Sequence, residues 1–436
     1  MRFTSTRNNE TDVGFEQAIR FCMPDDGGLY IPSGSADLRK WILYSNEQTS
    51  YASVAGAMTL AYINEEFSPV ICETIATHAF PYEPVLRKLD DSFYMLELFH
   101  GPTGWQRDFG THYLAESLET ILRLKDSTAI FLDATHTAFG AVLAHALKGK
   151  KRIKSVILFP KGQVRGLTEQ DYIWNGGNVY PIEVDGDESA CRSIIRQIFA
   201  DKSFASALNL TVANTANIGR LLPQTFFYPF AFSRLKNMVH GSIYYALAPE
   251  SFGSVVAGLY SWRLAMPVSG FIVPATDSLG SDALGNCTML DAVVPLEQRE
   301  PADPSAPSNL ERLEEVFRVS PAMLRNLVFP VQVDDAEVEQ AVKELYMNYH
   351  VYAGRNTAMA YAAAKKGGRQ NVQPGDAVVV LAKNHPSLDA EYIRHCLGEA
   401  PAMPDTVAAA VAPVQLRRPL LSSVEDVKCV LSSLQF

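Results

Sequence analysis

The spacing of hydrophobic and polar positions changes near residue 90. Before that point the pattern is mainly helical: a helical period begins at Phe15–Ile19, Asp25–Gly28 is a strong turn, and 29–32 predicts a short strand. After it, apolar runs of strand length alternate with segments of helical period. The clearest strand candidates are 128–132, 155–159, 243–247, 270–273 and 377–381, and helices are predicted over 140–147, 190–199 and 335–349.

This alternation predicts parallel sheets covered by helices on both faces. Ligands in such sheets bind at the carboxyl ends of the strands, so candidate functional residues are sought in the turns that follow them. Residues 297–307 are rich in Pro, Asp and Glu and predict an exposed loop, and 401–420 predicts a surface crossing before a last short helix.

Composition excludes several classes of function. The 436-residue chain has a formal net charge of -10, which argues against nucleic acid or an anionic membrane as a partner. No apolar run reaches the roughly 18 residues that a membrane span needs, and the polar start lacks the apolar segment of a signal peptide. The six cysteines are scattered without metal-ligand spacing, so we expect reduced thiols, no metal site and a cytoplasmic location.

A specific motif runs from Leu96 to Thr103, reading LELFHGPT, and Asp108-Phe109-Gly110 follows it. With further matches in the same order from about residue 14 to 400, the chain resembles threonine synthases, which are fold type II pyridoxal phosphate enzymes. The resemblance implies an α/β fold with a helical N-terminal domain and two parallel-sheet subdomains separated by a cleft. We therefore expect an N-terminal domain over 1–85, a core over 86–400 whose smaller subdomain spans about 110–235, and a C-terminal tail over 401–436.

The residue before Asp-Phe-Gly departs from the family pattern. In the family it is a lysine that bonds covalently to the cofactor aldehyde, a reaction that needs an amine able to lose its proton. Here it is Arg107. A guanidinium stays protonated and does not form that bond, but it binds a carboxylate or phosphate with two parallel hydrogen bonds.

Three other stretches of the expected pocket also depart from the family. The glycine-rich phosphate loop Ser-Gly-Asn-Phe-Gly is replaced by Pro249–Gly253, the substrate turn Ser-Gly-Asp-Thr-Gly by His136–Gly140, and a threonine that faces the pyridine nitrogen by Lys383. The proline removes a backbone donor, and Glu250 adds negative charge near the phosphate position. The four changes together predict that pyridoxal phosphate is absent.

The candidate site consists of residues from the substituted stretches together with Arg220, which keeps the family pattern and which the resemblance places beside the substrate site. We expect Glu250, His136 and Lys383 to exchange protons, and we expect four residues to bind an anionic substrate: Arg107, Arg220, Thr137 and Ser251. The alternative is that the pocket has lost its function and that its residues have changed without selection. Glu250 and Lys383 would then only form an ion pair that fills the space, although burying charged groups costs free energy. Lys383 is not expected to replace the missing lysine, because the resemblance places it on the side of the cofactor's pyridine ring that is away from the aldehyde.

Three functions stay open. The first is a repurposed enzyme of lyase or cyclase type that works without pyridoxal phosphate on an amino-acid-derived or phosphorylated small molecule. The second is a non-catalytic pseudoenzyme or partner subunit, and the third is an ordinary pyridoxal-phosphate-dependent threonine synthase. The expected partner is a small anionic ligand, and a homodimer is left open.

Overall fold

The computed structural model describes residues 1–34, 36–289, 294–319 and 325–434. The strands in chain order are β1 (Phe3–Ser5), β2 (Tyr30–Pro32), β3 (Val85–Lys88), β4 (Phe93–Glu97), β5 (Ala129–Ala134), β6 (Ile153–Pro160), β7 (Val179–Val184), β8 (Leu210–Thr211), β9 (Ile243–Ala246), β10 (Gly270–Pro274), β11 (Leu279–Ser281), β12 (Cys287–Met289), β13 (Val328–Val331) and β14 (Ala377–Ala382).

The α-helices are α1 (Phe15–Phe21), α2 (Arg39–Tyr44), α3 (Tyr51–Ile63), α4 (Pro69–Ala79), α5 (Arg107–Leu124), α6 (Phe139–Leu147), α7 (Glu188–Ala200), α8 (Lys202–Ala207), α9 (Ile218–Leu221), α10 (Phe227–Leu235), α11 (Gly253–Arg263), α12 (Leu310–Val319), α13 (Asp335–Tyr349), α14 (Arg355–Asn371), α15 (Ala390–Leu397), α16 (Asp405–Val411) and α17 (Val424–Ser433). Short 3-10 helices lie at Glu169–Asp171, Ile173–Asn175, Leu222–Phe226, Leu296–Gln298 and Pro386–Asp389.

Two sheets form the core of the molecule. The larger has six strands in the order β13-β10-β9-β14-β4-β3, all parallel except the edge strand β3. The smaller has four parallel strands in the order β7-β6-β5-β8. Long helices pack on both sheets, as the strand–helix alternation predicts, and the α/β fold with two parallel-sheet units is confirmed.

Helix α5 is central to the arrangement. Three residues separate it from the LELFHGPT motif, and it buries residues along its length, including Phe109 and Tyr113. These rings pack in edge-on, tilted or stacked geometry against Tyr51 in α3, Phe80 directly after α4 and Phe227 in α10. The N-terminal region thereby fixes α5 from one side, which sets the position of the first turn of α5 at the site.

Local sequence signals explain where several helices begin. The Ser50 hydroxyl accepts a hydrogen bond from the Ser53 N–H at the start of α3, and Pro69 occupies the first turn of α4. Asp334 and Glu337 form a reciprocal capping box at the start of α13.

The predicted strands and helices are confirmed to within a few residues, and the turn at 25–28 precedes β2 as expected. The interpretation of 297–307 as an exposed loop is partly wrong. Pro304 and Ser305 are buried, because the Pro304 carbonyl accepts a hydrogen bond from the side chain of Asn214. The tail contains α16 and α17, and its last two residues lie outside the described residues. The domain boundaries stay predictions.

The described residues contain neither a membrane-spanning helix nor a cluster of metal ligands. No helix there has both the length and the apolar character needed to cross a bilayer. Within the same ranges, His, Cys, Asp and Glu side chains form no group of three or more that could hold a metal ion.

Candidate active site

A cavity of about 370 Å³ lies at the carboxyl ends of the parallel strands. Its walls come from the turns after β5, β9 and β14, from the start of α5 and from the loop before α12. All the candidate site residues line it: Arg107, His136, Thr137, Arg220, Glu250, Ser251 and Lys383. Their placement was predicted from the sequence, whereas their individual roles stay predictions.

The first turn of α5 forms one wall. The Gln106 N–H donates to the Lys383 carbonyl at 2.7 Å, which ties this turn to the end of β14. Arg107 is exposed to the cavity, and its Nη1 donates to Thr137 Oγ1 at 3.3 Å. Desolvation in the cavity lowers the pKa of Arg107, and the charge of Glu250 opposes that shift.

Arg220 lies behind Arg107 and is 5% exposed. Burial first, and then the positive charge of Arg107, lower the pKa of Arg220 to about 9. Gly110 makes room for this side chain, because a Cβ at Gly110 would stand 1.8 Å from Arg220 Nη1.

The turn after β9 carries the residues that replace the family's phosphate loop. Glu250 and Phe252 have φ angles of 41° and 61°, in the left-handed region. The turn leads into the 11-residue helix α11, whose first residues Gly253 and Ser254 line the cavity together with Ser251. A helix N-terminus aimed into a cavity offers backbone N–H groups to an anion.

Lys383 and Glu250 face each other across the cavity floor. Lys383 Nζ donates to the Ala248 carbonyl at 2.8 Å and lies 3.4 Å from Glu250 Oε2, while Asn356 donates to Glu250 Oε1 at 2.8 Å. Burial raises the pKa of Glu250, but the charges of Lys383 and Arg107 outweigh it, and the net direction is downward. Glu250 is therefore a carboxylate with an ammonium group beside it.

The opposite wall contains Glu188 and Arg192, which were not predicted from the sequence. His136 Nδ1 lies 2.8 Å from Glu188 Oε2, and Arg192, one turn further along α7, also bonds to Glu188. Glu188 and Arg192 lie in the first two turns of α7, and no motif in the sequence singles them out.

Asp133 was also missed. It is 1% exposed at the end of β5, and it accepts hydrogen bonds from the Ala213 N–H and the Asn214 side chain. Burial raises the pKa of Asp133 to about 7, against the lowering effect of these two bonds.

Comparison with known proteins agrees with this geometry. A family model described as "Threonine synthase N terminus" matches residues 2–80, and one described as "Pyridoxal-phosphate dependent enzyme" matches 76–383. The fold and site thus define an α/β protein of the fold type II class. The chain belongs to the pyridoxal-phosphate dependent enzyme family, and its first 80 residues are similar to the N-terminal region of threonine synthases.

Individual relatives cover nearly the whole chain. The threonine synthase of Escherichia coli K12 is 28% identical over 418 residues, covering 94% of each chain, and that of Serratia marcescens is 28% identical over 424 residues, covering 97% and 96%. The crystal structure of the Escherichia coli threonine synthase superposes with a TM-score of 0.76 at 27% identity over all of both chains. A structure of PLP-bound threonine synthase from Brucella melitensis superposes with a TM-score of 0.79 at 22% identity, covering 99% of this chain and 98% of that one.

The prediction that pyridoxal phosphate is absent is wrong. Membership of the pyridoxal-phosphate dependent family over residues 76–383 overturns it. The inference gave four substitutions too much weight. An anion can be held by backbone N–H groups and by other cations, and the start of α11 and the charged walls of the cavity provide both.

Proposed function

We propose that the protein is a pyridoxal-phosphate enzyme of the threonine synthase kind, acting on a small phosphorylated amino acid. The observation that carries this proposal is the charge of the cavity. Arg107, Arg192, Arg220 and Lys383 face Asp133, Glu188 and Glu250 there, an excess of positive charge in a protein of net charge -10. Such a lining attracts anions that the rest of the surface repels.

The residues present fit the phosphate of this cofactor. The N-terminus of α11, with the hydroxyls of Ser251 and Ser254 beside it, would hold that group. The bound cofactor supplies a ring that withdraws electrons from the reacting carbon of the substrate. Arg107 does not offer the amine that the family uses, and Lys383 is the lysine on the cavity wall.

The protein's own groups would then bind the substrate and move protons. Arg107, Arg220 and Thr137 would hold its anionic group. Glu250 would take a proton from the substrate carbon, and Lys383, 3.4 Å away, would hold that carboxylate in its charged form and return a proton. His136, whose ring lies against the Glu188 carboxylate, would exchange a proton with the leaving group from the opposite wall of the cavity.

The test adds pyridoxal phosphate and phosphohomoserine to the purified protein. We expect a visible absorbance band from the bound cofactor and release of inorganic phosphate. Borohydride reduction followed by peptide mapping then shows whether any lysine is attached to the cofactor. No spectral change at saturating cofactor, or no phosphate release, contradicts the proposal.

Replacement of Glu250 by Gln tests the proton transfer. We expect turnover to fall roughly 100-fold or more, while the absorbance band and the melting temperature change little. The matched control is Glu339→Gln, a carboxylate on α13 that lies 3.9 Å from His395 at the surface, and its turnover should equal that of the unchanged protein.

Arg107 favours a second candidate, a repurposed enzyme of lyase or cyclase type that uses the same groups on another amino-acid-derived anion. It differs from the first in its products: phosphate or another leaving group is released without formation of threonine. A non-catalytic binding protein would show no turnover with any such ligand and would be indifferent to Glu250→Gln.

A further inference from the structure

A second cavity, of about 560 Å³, lies beside the edge strand β3 of the larger sheet. Its walls come from residues 83–86, from Tyr94 in β4, from the end of α10 and the residues after it, and from Glu47 in the segment before α3. It shares no lining residue with the candidate active site. Its volume lies in the range of pockets that hold small molecules.

Opposite charges face this cavity without pairing with each other. Arg234 is fixed through its Nη1, which donates to the carbonyls of Asn46 at 3.2 Å and Thr49 at 2.8 Å. Glu83 is fixed by the first N–H of α3, that of Tyr51, which donates to its Oε2 at 3.4 Å. Within the ranges that the structure describes, Glu83 forms no ion pair with Arg234 or with any other cation.

A second carboxylate, that of Glu47, adds to this arrangement. Across the described part of the chain its partner is the side-chain amide of Asn237, at 3.4 Å, and not a cation. Burial lowers the pKa of Arg234, and the charges of Glu83 and then Glu47 act against that lowering, so all three groups lie within electrostatic reach. Charges that the backbone holds apart around a cavity are preorganised for a ligand that carries both signs.

Apolar side chains complete the cavity. The Phe230 ring lies under the guanidinium of Arg234, 4.2 Å from Cζ to the ring centroid, and Leu86 lines the wall beside it. Val85 and Met238 also line the cavity and are 41% and 56% exposed. An apolar group of a ligand would cover these side chains and remove them from water.

We propose that this cavity binds a free α-amino acid with an apolar side chain. Glu47 and Glu83 would hold its ammonium group, and Arg234 would hold its carboxylate through Nε and Nη2. The apolar side chain would lie against Val85 and Met238. This site goes beyond the proposed function, because no residue of the candidate active site takes part in it.

Tyr51 connects the site to helix α5. Its N–H bonds to Glu83, and its ring centroid lies 5.4 Å from that of Phe230 and 5.3 Å from that of Phe109. Phe109 belongs to the first turn of α5, two residues after Arg107. A ligand that restrains Glu83 and Phe230 therefore also restrains the turn that forms one wall of the candidate active site.

The test uses L-leucine as the probe and measures binding by titration calorimetry. Isoamylamine and isocaproate are the comparison ligands, because each keeps the apolar part of leucine and lacks one of its two charges. We expect leucine to bind and each comparison ligand to bind at least about tenfold more weakly. Hydrogen–deuterium exchange over residues 105–112 should slow when leucine is bound, while exchange over 335–349 in α13 should not change.

Glu47→Gln and Glu83→Gln should each weaken leucine binding about tenfold, since each removes one charge and keeps the side-chain shape. Lys88→Gln is the matched control. Lys88 lines the same cavity but is already paired with Asp91 at 2.8 Å, so leucine affinity should change less than about threefold. Melting temperatures verify that the three variants are folded.

Three results would overturn the site. One is the absence of leucine binding at about 10 mM. Another is equal binding of isoamylamine, which would leave Arg234 without a role. The third is leucine binding that survives both glutamate substitutions, which would place the ligand elsewhere, including the candidate active site. Unchanged exchange over 105–112 with leucine bound would refute the link through Tyr51. None of these measurements uses turnover, so failure of the proposed function would not alter them.

Discussion

Glu250 holds a backbone conformation that suits another residue. Its φ angle of 41° lies in the left-handed region, which costs a residue with a side chain on the order of 1 kcal/mol relative to glycine. The family's phosphate loop has a glycine at this position. The loop thus has the backbone conformation that suits glycine, although a glutamate occupies the position. The bonds of Glu250 to Lys383 and Asn356 offset the strain.

The strain can be measured by comparing two substitutions that both remove the charge. Glu250→Gly should be more stable than Glu250→Gln by about 1 kcal/mol, because only glycine relieves the left-handed backbone. Chemical denaturation of both variants gives this difference. The control is Ser251→Gly at the next residue, whose φ is not positive and where glycine should lower stability. Equal stabilities of the two Glu250 variants would refute the argument.

At the level of elements, α5 depends on Gly110 as the place where Arg220 approaches the helix. A methyl group there would meet Arg220 Nη1 at 1.8 Å and the Arg220 carbonyl at 2.6 Å, so both the side chain and the backbone of α9 would have to move. A helix interior normally favours alanine over glycine by up to about 1 kcal/mol. Here the clash outweighs that preference.

We therefore expect Gly110→Ala to lower the free energy of unfolding by about 1–3 kcal/mol and to weaken phosphate binding. Gly56→Ala in α3 is the matched control, since the nearest atom to its added Cβ lies at 3.5 Å, an ordinary contact. That variant should be as stable as the unchanged protein or slightly more stable. Thermal and urea unfolding of both variants decide the matter, and a stabilised Gly110→Ala would contradict the close approach.

Some elements could be read from the sequence and others could not. Strands β5, β6, β9, β10 and β14 are buried along most or all of their length, and each contains a continuous apolar run. The edge strand β3 is mostly exposed and reads Val-Leu-Arg-Lys, which has no such signal. Short exposed strands are defined by their neighbours in the sheet, which a single sequence does not reveal.

The same contrast holds for the site. Its seven predicted residues were found because motifs locate them, whereas the importance of Asp133 depends on Asn214, which is 81 residues away in sequence. Glu188 and Arg192 become visible only when α7 is placed against His136. The cofactor error has a related origin: substitutions were counted one by one, although the charge of the assembled cavity decides whether an anion is held.

At the scale of the whole molecule, buried carboxylates make stability depend on pH. Burial raises the pKa of Asp133 to about 7 and that of Asp108 to about 6, above the value near 4 that an unfolded chain has. Between pH 4 and 7 the folded protein therefore holds protons that the unfolded chain has already lost. Stability from these groups falls as pH rises through that window and levels off above it.

Asp133→Asn removes one of these titrations. The stability of the variant minus that of the unchanged protein should increase between pH 5 and 7, by at most about 1.4 kcal/mol per pH unit, and then become constant. At low pH the variant should be the less stable of the two, because a carboxamide cannot accept both the Ala213 and the Asn214 hydrogen bonds as placed. Asp277→Asn, which removes a carboxylate at an exposed position, is the matched control. A flat difference for Asp133→Asn would mean that Asp133 is charged in the folded protein throughout this range.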